Sequence, residues 1–259
     1  MKRRSKIMLG LSLFILLLWI GIFYQNPYRV SEIMTLEGPS LRHILGTDNL
    51  GRDIFSRLVL GSFYSMSIAF LSVLFAGIIG GFLGGLAGYF EGYLDEFLLF
   101  LSETLMSIPA ILITLGIIVL FRAGFYSITL AIFILYTPRC IHFVRALVKQ
   151  EKHKNYIKMA KIYGVGDFRI LFRHIGPNIF LPILVNFSTN FAGAILTEAA
   201  LGYLGFGIQP PYPTLGNMLN QSQSYFLIAP CFTIAPGFVI IILVYRMNKI
   251  SKTYQEKHR

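Results

Sequence analysis

Residues 58–90 contain no Asp, Glu, Lys, Arg or His, and a stretch that long constrains this chain more than any other feature. A membrane crossing needs about 20 mostly apolar residues, and 58–90 is longer than one crossing requires. Further apolar runs lie at 7–24, 97–121 (broken only by Glu103), 124–140, 179–197 and 226–245. Lipid offers no partner to a free peptide group, so spans must be helices or closed barrels, and runs of this length are helical. The expected fold is therefore an all-α polytopic membrane protein with six transmembrane helices. Only 14% of the residues are charged, against about 25% in soluble domains. The first run follows Lys2, Arg3, Arg4 and Lys6, but it is too long for a signal peptide. No alanine precedes Ala69, so it has no Ala-x-Ala cleavage site and is expected to be an uncleaved span.

Six spans place both termini on one side, and the basic residues choose that side. With the termini in the cytoplasm, the inner segments 1–6, 90–96, 139–178 and 246–259 hold 18 Lys and Arg. The outer segments hold five: Arg29, Arg42, Arg52, Arg57 and Arg122. This is the positive-inside pattern. The net charge of +11 is thus accounted for by a membrane topology, and nucleic acid is not an expected partner. Cys140 and Cys231 fall near opposite faces and are not expected to bridge. No metal-ligand spacing is present, and His142, His153 and His174 all fall on the inner side, away from any pore.

Between the fourth and fifth spans the chain carries helical order. Asn155 is a candidate N-cap, the run Tyr156, Ile157, Lys158, Met159, Ala160, Lys161, Ile162, Tyr163 follows, and Gly164 supplies a stop. Asp167 is a candidate cap for a second helix, Phe168 to His174, that ends near Pro177. A helix of about eight residues is marginal alone and gains stability by docking, either on anionic lipid or in a groove of a cytosolic protein. The second span carries two small-residue ladders, Gly77/Gly81/Gly85 and Gly80/Gly84/Gly88. These allow close helix approach, within this chain or against a partner. Pro109, Pro230 and Pro236 are expected to kink spans. Glu103 lies within a span, where a carboxylate is costly; a structural partner or inner-cavity position, a conformational switch and solute contact are the alternatives. Glu198 is read as ordering the Gly/Pro-rich loop after it. Asp48, Arg52 and Asp53 are read as caps and ion pairs of an external segment.

Three stretches resemble the oligopeptide/dipeptide/nickel permease family of ABC importers, specifically its second permease subunit. Residues 45–57 read LGTDNLGRDIFSR, similar to the family's LGTDxLGRDxxSR. Residues 156–177 look like the permease EAA loop, with Ala160 and Gly164 in place and a downstream HIxPN. Residues 198–213, which include Gly205 and Gln209, are similar to EAxLxFLGLGxxPPxP, and Ala229-Pro230 with Pro236-Gly237 matches APxxxxxPG. The resemblance covers residues from about 40 to 245. Three positions depart from it: Lys158 stands where the family has an acidic residue, Leu215 where it has tryptophan, and the chain end lacks the Gly-Asp-x-Leu-Arg-Asp run.

The resemblance implies a type I ABC importer permease fold, with 1–57 as first span and external segment. Residues 58–248 would be the permease domain, containing the coupling loop 139–178, and 249–259 a basic tail. It implies a multi-pass protein of the cytoplasmic membrane, paired as a heterodimer with a second homologous permease and working with an external solute-binding protein. Two cytosolic subunits would bind ATP and Mg, since this chain has no GxxxxGK[ST] motif and no catalytic constellation. Tyr156, Ile157, Lys158, Met159, Ala160, Ile162, Tyr163 and Gly164 would form the ATPase-docking helix. Ile157, Ala160, Ile162 and Tyr163 would supply the apolar contact, and Lys158 or Lys161 a polar rim. Glu103, Pro109, Glu198, Gly205 and Gln209 are candidates for translocation or gating. The cargo would be oligopeptides or dipeptides, with nickel or a nickel chelate as the alternative. An ion-coupled secondary transporter would call for more intramembrane charge and inverted repeats. A membrane enzyme would need a nucleophile and base at membrane depth.

Overall fold

The computed structural model describes residues 25–31 and 34–256, and the side chains to residue 253. The expected span at 7–24 lies outside the described residues, as does the end of the basic tail. Eight helices carry the argument: α1 (Ile54–Phe90), α2 (Gly92–Ser107), α3 (Ala110–Phe121), α4 (Phe125–Lys152), α5 (Asn155–Ile162), α6 (Asp167–Tyr203), α7 (Leu215–Ser222) and α8 (Pro230–Glu256). Among the described residues the β pairing is a single antiparallel bridge, Thr47 to Asp53.

α1, α4, α6 and α8 are each long and apolar enough to cross a membrane alone. The expected span at 97–121 is not one rod. α2 and α3 meet at 91° across Ile108 and Pro109. Proline pushes the residue before it out of helical geometry, and Ile108 is extended, with φ −81 and ψ 127. Pro230 does not kink a span. It is the first residue of α8, where its missing N–H costs nothing. Pro236 lies within α8.

The chain forms two compact units. The first comprises the described residues up to Ala69, Ile118–Ile128 and Ile195–Arg246. Its core includes Ile54, Leu215, Met218 and Phe232. The motif at 45–57 is buried here as a polar knot. Gly46 (φ +83) and Gly51 (φ +70) turn the chain so tightly that a Cβ would meet the carbonyls of Glu37 and Ser31. Asp48 Oδ1 accepts the N–H groups of Leu50 and Arg52, both at 2.9 Å, while Oδ2 takes Arg52 Nε at 2.7 Å. Asp53 caps α1 by accepting the Ser56 N–H at 2.7 Å, and its other oxygen lies 2.9 Å from His43 Nδ1. The expected caps and ion pairs are thus in place.

The second unit comprises Phe70–Ile117, Thr129–Ala194 and the described residues from Met247 onward. α1 lies on α4 here through Gly80, Gly84 and Gly88, which face the backbone of Thr137, Ile141 and Arg145. Phe70, Phe187 and Phe191 pack as a triplet between α1 and α6. A second core gathers Tyr89, Val144, Val148, Ile157, Ile170, Leu171, Ile175 and Ile179. This core positions the segment between α4 and α6.

Candidate functional site

α5 is short, and its two ends explain how it persists. Its N-cap is Lys154, in extended backbone, with no side-chain cap. Asn155, expected to cap, is already helical. At the other end Tyr163 closes the helix and Gly164 adopts φ +75. The Gly164 N–H donates to Lys161 O at 3.0 Å and the Val165 N–H to Ala160 O at 3.1 Å. These are the two bonds of a Schellman ending. Ala160 and Val165 both pack on the core beneath, which supplies the apolar contact of that ending.

α6 begins after Gly166, in extended backbone. Asp167, expected as a cap, is instead the first helical residue, and its Oδ1 accepts from the Tyr89 hydroxyl at 2.6 Å. The helix does not end near Pro177 as expected. A π turn over Ile170–Ile175 precedes it, and the Gly176 N–H reaches Leu171 O, five residues back. The wider turn shifts the ladder before a proline that lacks a donor, so α6 runs on to Tyr203.

The expected contact residues divide. Ile157 is 1% exposed and belongs to the chain's own core, so it anchors α5 rather than offering itself to a partner. Burying such a side chain is worth about 1.5–3 kcal/mol. Ala160 packs beside it. Met159, Ile162 and Tyr163 are exposed, and Phe168 joins them from α6. Lys158 and Lys161 are both exposed, and Lys161 Nζ stands 5.2 Å from the Tyr89 ring centroid and 3.9 Å from Asp167. Tyr156 donates to Glu151 Oε1 at 2.6 Å and accepts from Asn178 Nδ2 at 2.8 Å. Burial, and then that bond to a carboxylate, push its phenol above the ordinary tyrosine value, so it stays a donor.

Glu198, Gly205 and Gln209 come together in the first unit. Gly205 takes φ +87 at the turn after α6. Gln209 Nε2 donates to the carbonyls of Gly205 and Gly207, both at 3.1 Å, closing the loop on itself. Glu198 is 1% exposed. Its carboxylate lies beside the Ser65 and Thr214 hydroxyls, without completing a strict hydrogen bond to either. Ser65 Oγ already accepts the Leu215 N–H at 3.0 Å, and Thr214 Oγ1 the Asn217 N–H at 3.2 Å. Each hydroxyl therefore has its proton left to aim at Glu198. The arrangement joins α1, α6 and the N-terminus of α7, in keeping with the loop-ordering role. Glu198→Leu should lower stability by about 1–3 kcal/mol, and Glu198→Gln, which keeps an acceptor oxygen, by less. Thermal unfolding of the purified chain in detergent reads this. Equal midpoints for all three would contradict it.

Glu103 and Pro109 belong to the second unit. Glu103 is on the exposed surface of α2. Pro109 lines a cavity of about 260 Å³ with Met106, Ile108, Leu135, Pro138 and Arg139. Sequence reasoning missed Tyr89, Ser65, Thr214 and α7 itself. Thr214 ahead of LGNMLNQS is an N-cap signal that was there to be read. Tyr89 gave none, being one aromatic among many.

Long apolar helices, a right-angled helix pair and a self-anchored helix between two spans define a multi-pass α-helical membrane protein. Residues 77–250 match the family described as binding-protein-dependent transport system inner membrane component, and the chain belongs to that family, the permease subunits of ABC importers. The glutathione transport system permease protein GsiD of Pectobacterium atrosepticum is 37% identical over 252 residues, covering 95% of this chain and 84% of that one. The dipeptide transport system permease protein DppC of Alkalihalophilus pseudofirmus is 34% identical over 255 residues, covering 96% and 84%. The di/tripeptide transport system permease protein DppC of Pseudomonas aeruginosa is 33% identical over 250 residues, covering 92% and 82%. Among solved structures, the inward-facing MetNI methionine ABC transporter matches with a TM-score of 0.60 at 18% identity, over 78% of this chain and 96% of that chain. That likeness establishes the type I importer permease fold. A permease of this family works with separate ATP-binding subunits and a substrate-binding protein; ATP hydrolysis is not its own chemistry.

Proposed function

We propose that this chain is one of two non-identical permease subunits that together form the path for short peptides across the cytoplasmic membrane. The observation that carries the reading is α5, held from behind by Ile157 and capped by Gly164, with Met159, Ile162 and Tyr163 turned outward. Such a helix suits insertion into an apolar groove. The Lys and Arg distribution supports a cytoplasmic position for it and for both termini. ATP-driven closure of two cytosolic subunits would then bias the permease between inward-open and outward-open states. A solute-binding protein would deliver cargo at the opposite face. The relatives named for glutathione, dipeptides and di/tripeptides support a peptide cargo.

Uptake in cells lacking this subunit tests the cargo. Restoring the gene should restore entry of labelled dipeptides, and excess unlabelled dipeptide should compete. Restored nickel entry with no dipeptide entry would contradict the reading.

A further inference from the structure

We infer that Tyr89 is a positioning residue for coupling: it ties the segment carrying α5 to the end of α1, so that a pull on α5 moves α1 and α4 as one body. Tyr89 is the penultimate residue of α1 and is 2% exposed. Three neighbouring elements converge on it. From α6, Asp167 Oδ1 accepts its hydroxyl proton at 2.6 Å. From α5, Lys161 Nζ stands 5.2 Å from its ring centroid, within cation–π range. From α4, Lys152 Nζ stands 5.5 Å from the same ring and donates to the Tyr89 carbonyl at 2.6 Å and to Glu91 Oε1 at 3.2 Å.

The surrounding contacts explain why this residue matters. Ile157, Ile170, Leu171 and Ile175 give the segment its apolar seat, but apolar packing is non-directional and permits sliding. The Tyr89–Asp167 bond is directional and fixes the angle at which the segment sits. Beyond Tyr89, α1 is seated closely on α4 through Gly80, Gly84 and Gly88, where a Cβ would meet the backbone of Thr137, Ile141 and Arg145. A displacement that reaches Tyr89 therefore reaches both helices. Asp167 also lies in the first turn of α6.

This inference rests on the proposed docking of α5, and reconstitution separates the two. The probe is labelled alanyl-alanine, taken up by liposomes holding the full complex with its ATPases and binding protein, with ATP hydrolysis measured alongside. Tyr89→Phe should lower peptide imported per ATP about fivefold, the ratio a hydrogen bond of ordinary net strength corresponds to. Asp167→Ala should do the same, and Asp167→Asn, which keeps the acceptor oxygen, should retain most of the coupling. The Asp167 side chain is 54% exposed, so its variants do not threaten the core. An unchanged ratio in both Tyr89→Phe and Asp167→Ala would overturn the inference while leaving the importer reading intact. So would a proportional fall in hydrolysis and uptake, the mark of a merely structural residue. A wild-type complex that imports no peptide would sink the functional reading, and this inference with it.

Discussion

Asp48→Ala is expected to strip the protein of a large share of its stability. Asp48 is fully buried and is the counter-charge for two buried guanidiniums. Arg52 bonds it at 2.7 Å, and Arg57 Nε approaches to 3.4 Å. Arg57 is itself 0% exposed and, among the described residues, otherwise reaches the carbonyls of Pro27 at 3.4 Å and Pro211 at 3.5 Å. Removing one partner of a buried ionic group leaves the others uncompensated, at a cost of about 3–5 kcal/mol. That is a large share of the roughly 5–15 kcal/mol that holds a domain folded. Asp48→Asn keeps an acceptor for the Leu50 and Arg52 N–H groups but not the charge, and should fall between. Glu37→Ala, at an exposed carboxylate of the same segment, should behave as wild type. Folded yield in detergent and the unfolding midpoint are the measurements. A wild-type midpoint for Asp48→Ala would refute the knot as described.

The second large effect is expected at Gly84. A Cβ there would stand 2.5 Å from the Ile141 carbonyl oxygen and 3.0 Å from its Cα. Both atoms are backbone, so no rotamer relieves the clash and α1 must lift off α4. Gly80 and Gly88 are equally confined, facing Thr137 O at 2.8 Å and Arg145 O at 2.6 Å. At Gly81, three residues away on the other ladder, a Cβ would meet nothing within 4 Å. Gly84→Val should therefore cost at least the roughly 1–3 kcal/mol of an overpacked core. Gly81→Val should leave the stability of the isolated chain nearly unchanged. Paired thermal unfolding curves read the difference, and equal losses at the two positions would contradict the seat of α1 on α4.

The contrast between those two ladders shows what a sequence of this kind conceals. Both have glycine every fourth residue, and nothing along the chain says which row faces α4. Spans were legible where lipid sets the rule. α1 follows from the uncharged stretch at 58–90, extended to Ile54 by the Asp53 cap. α4 instead runs on from Cys140 to Lys152, because its last turns pack on the second core through Val144 and Val148 although the sequence there is no longer an unbroken apolar run. An apolar-run criterion is blind to that. Pro109 announced a break, but 91° depends on Ile108 becoming extended and on where α3 then finds its packing. In the α5 segment the glycine stop was legible because only glycine enters φ +75 without strain. The caps were misassigned because capping depends on which residue takes the extended backbone, and Lys154 and Gly166 take it. Ile157 and Ile162 are the same residue type five positions apart. Only the fold buries one and leaves the other exposed.

Everything functional turns on Ile162 meeting a cytosolic ATP-binding subunit. A single cysteine at Ile162, with Cys231 replaced by serine and the buried Cys140 retained, carries a short photo-crosslinker in membranes that hold the whole complex. The account predicts one adduct, to the ATP-binding subunit, whose yield changes when a non-hydrolysable ATP analogue is added. An adduct to lipid alone, or labelling of Ile162 by a membrane-impermeant reagent from outside the cell, would contradict it.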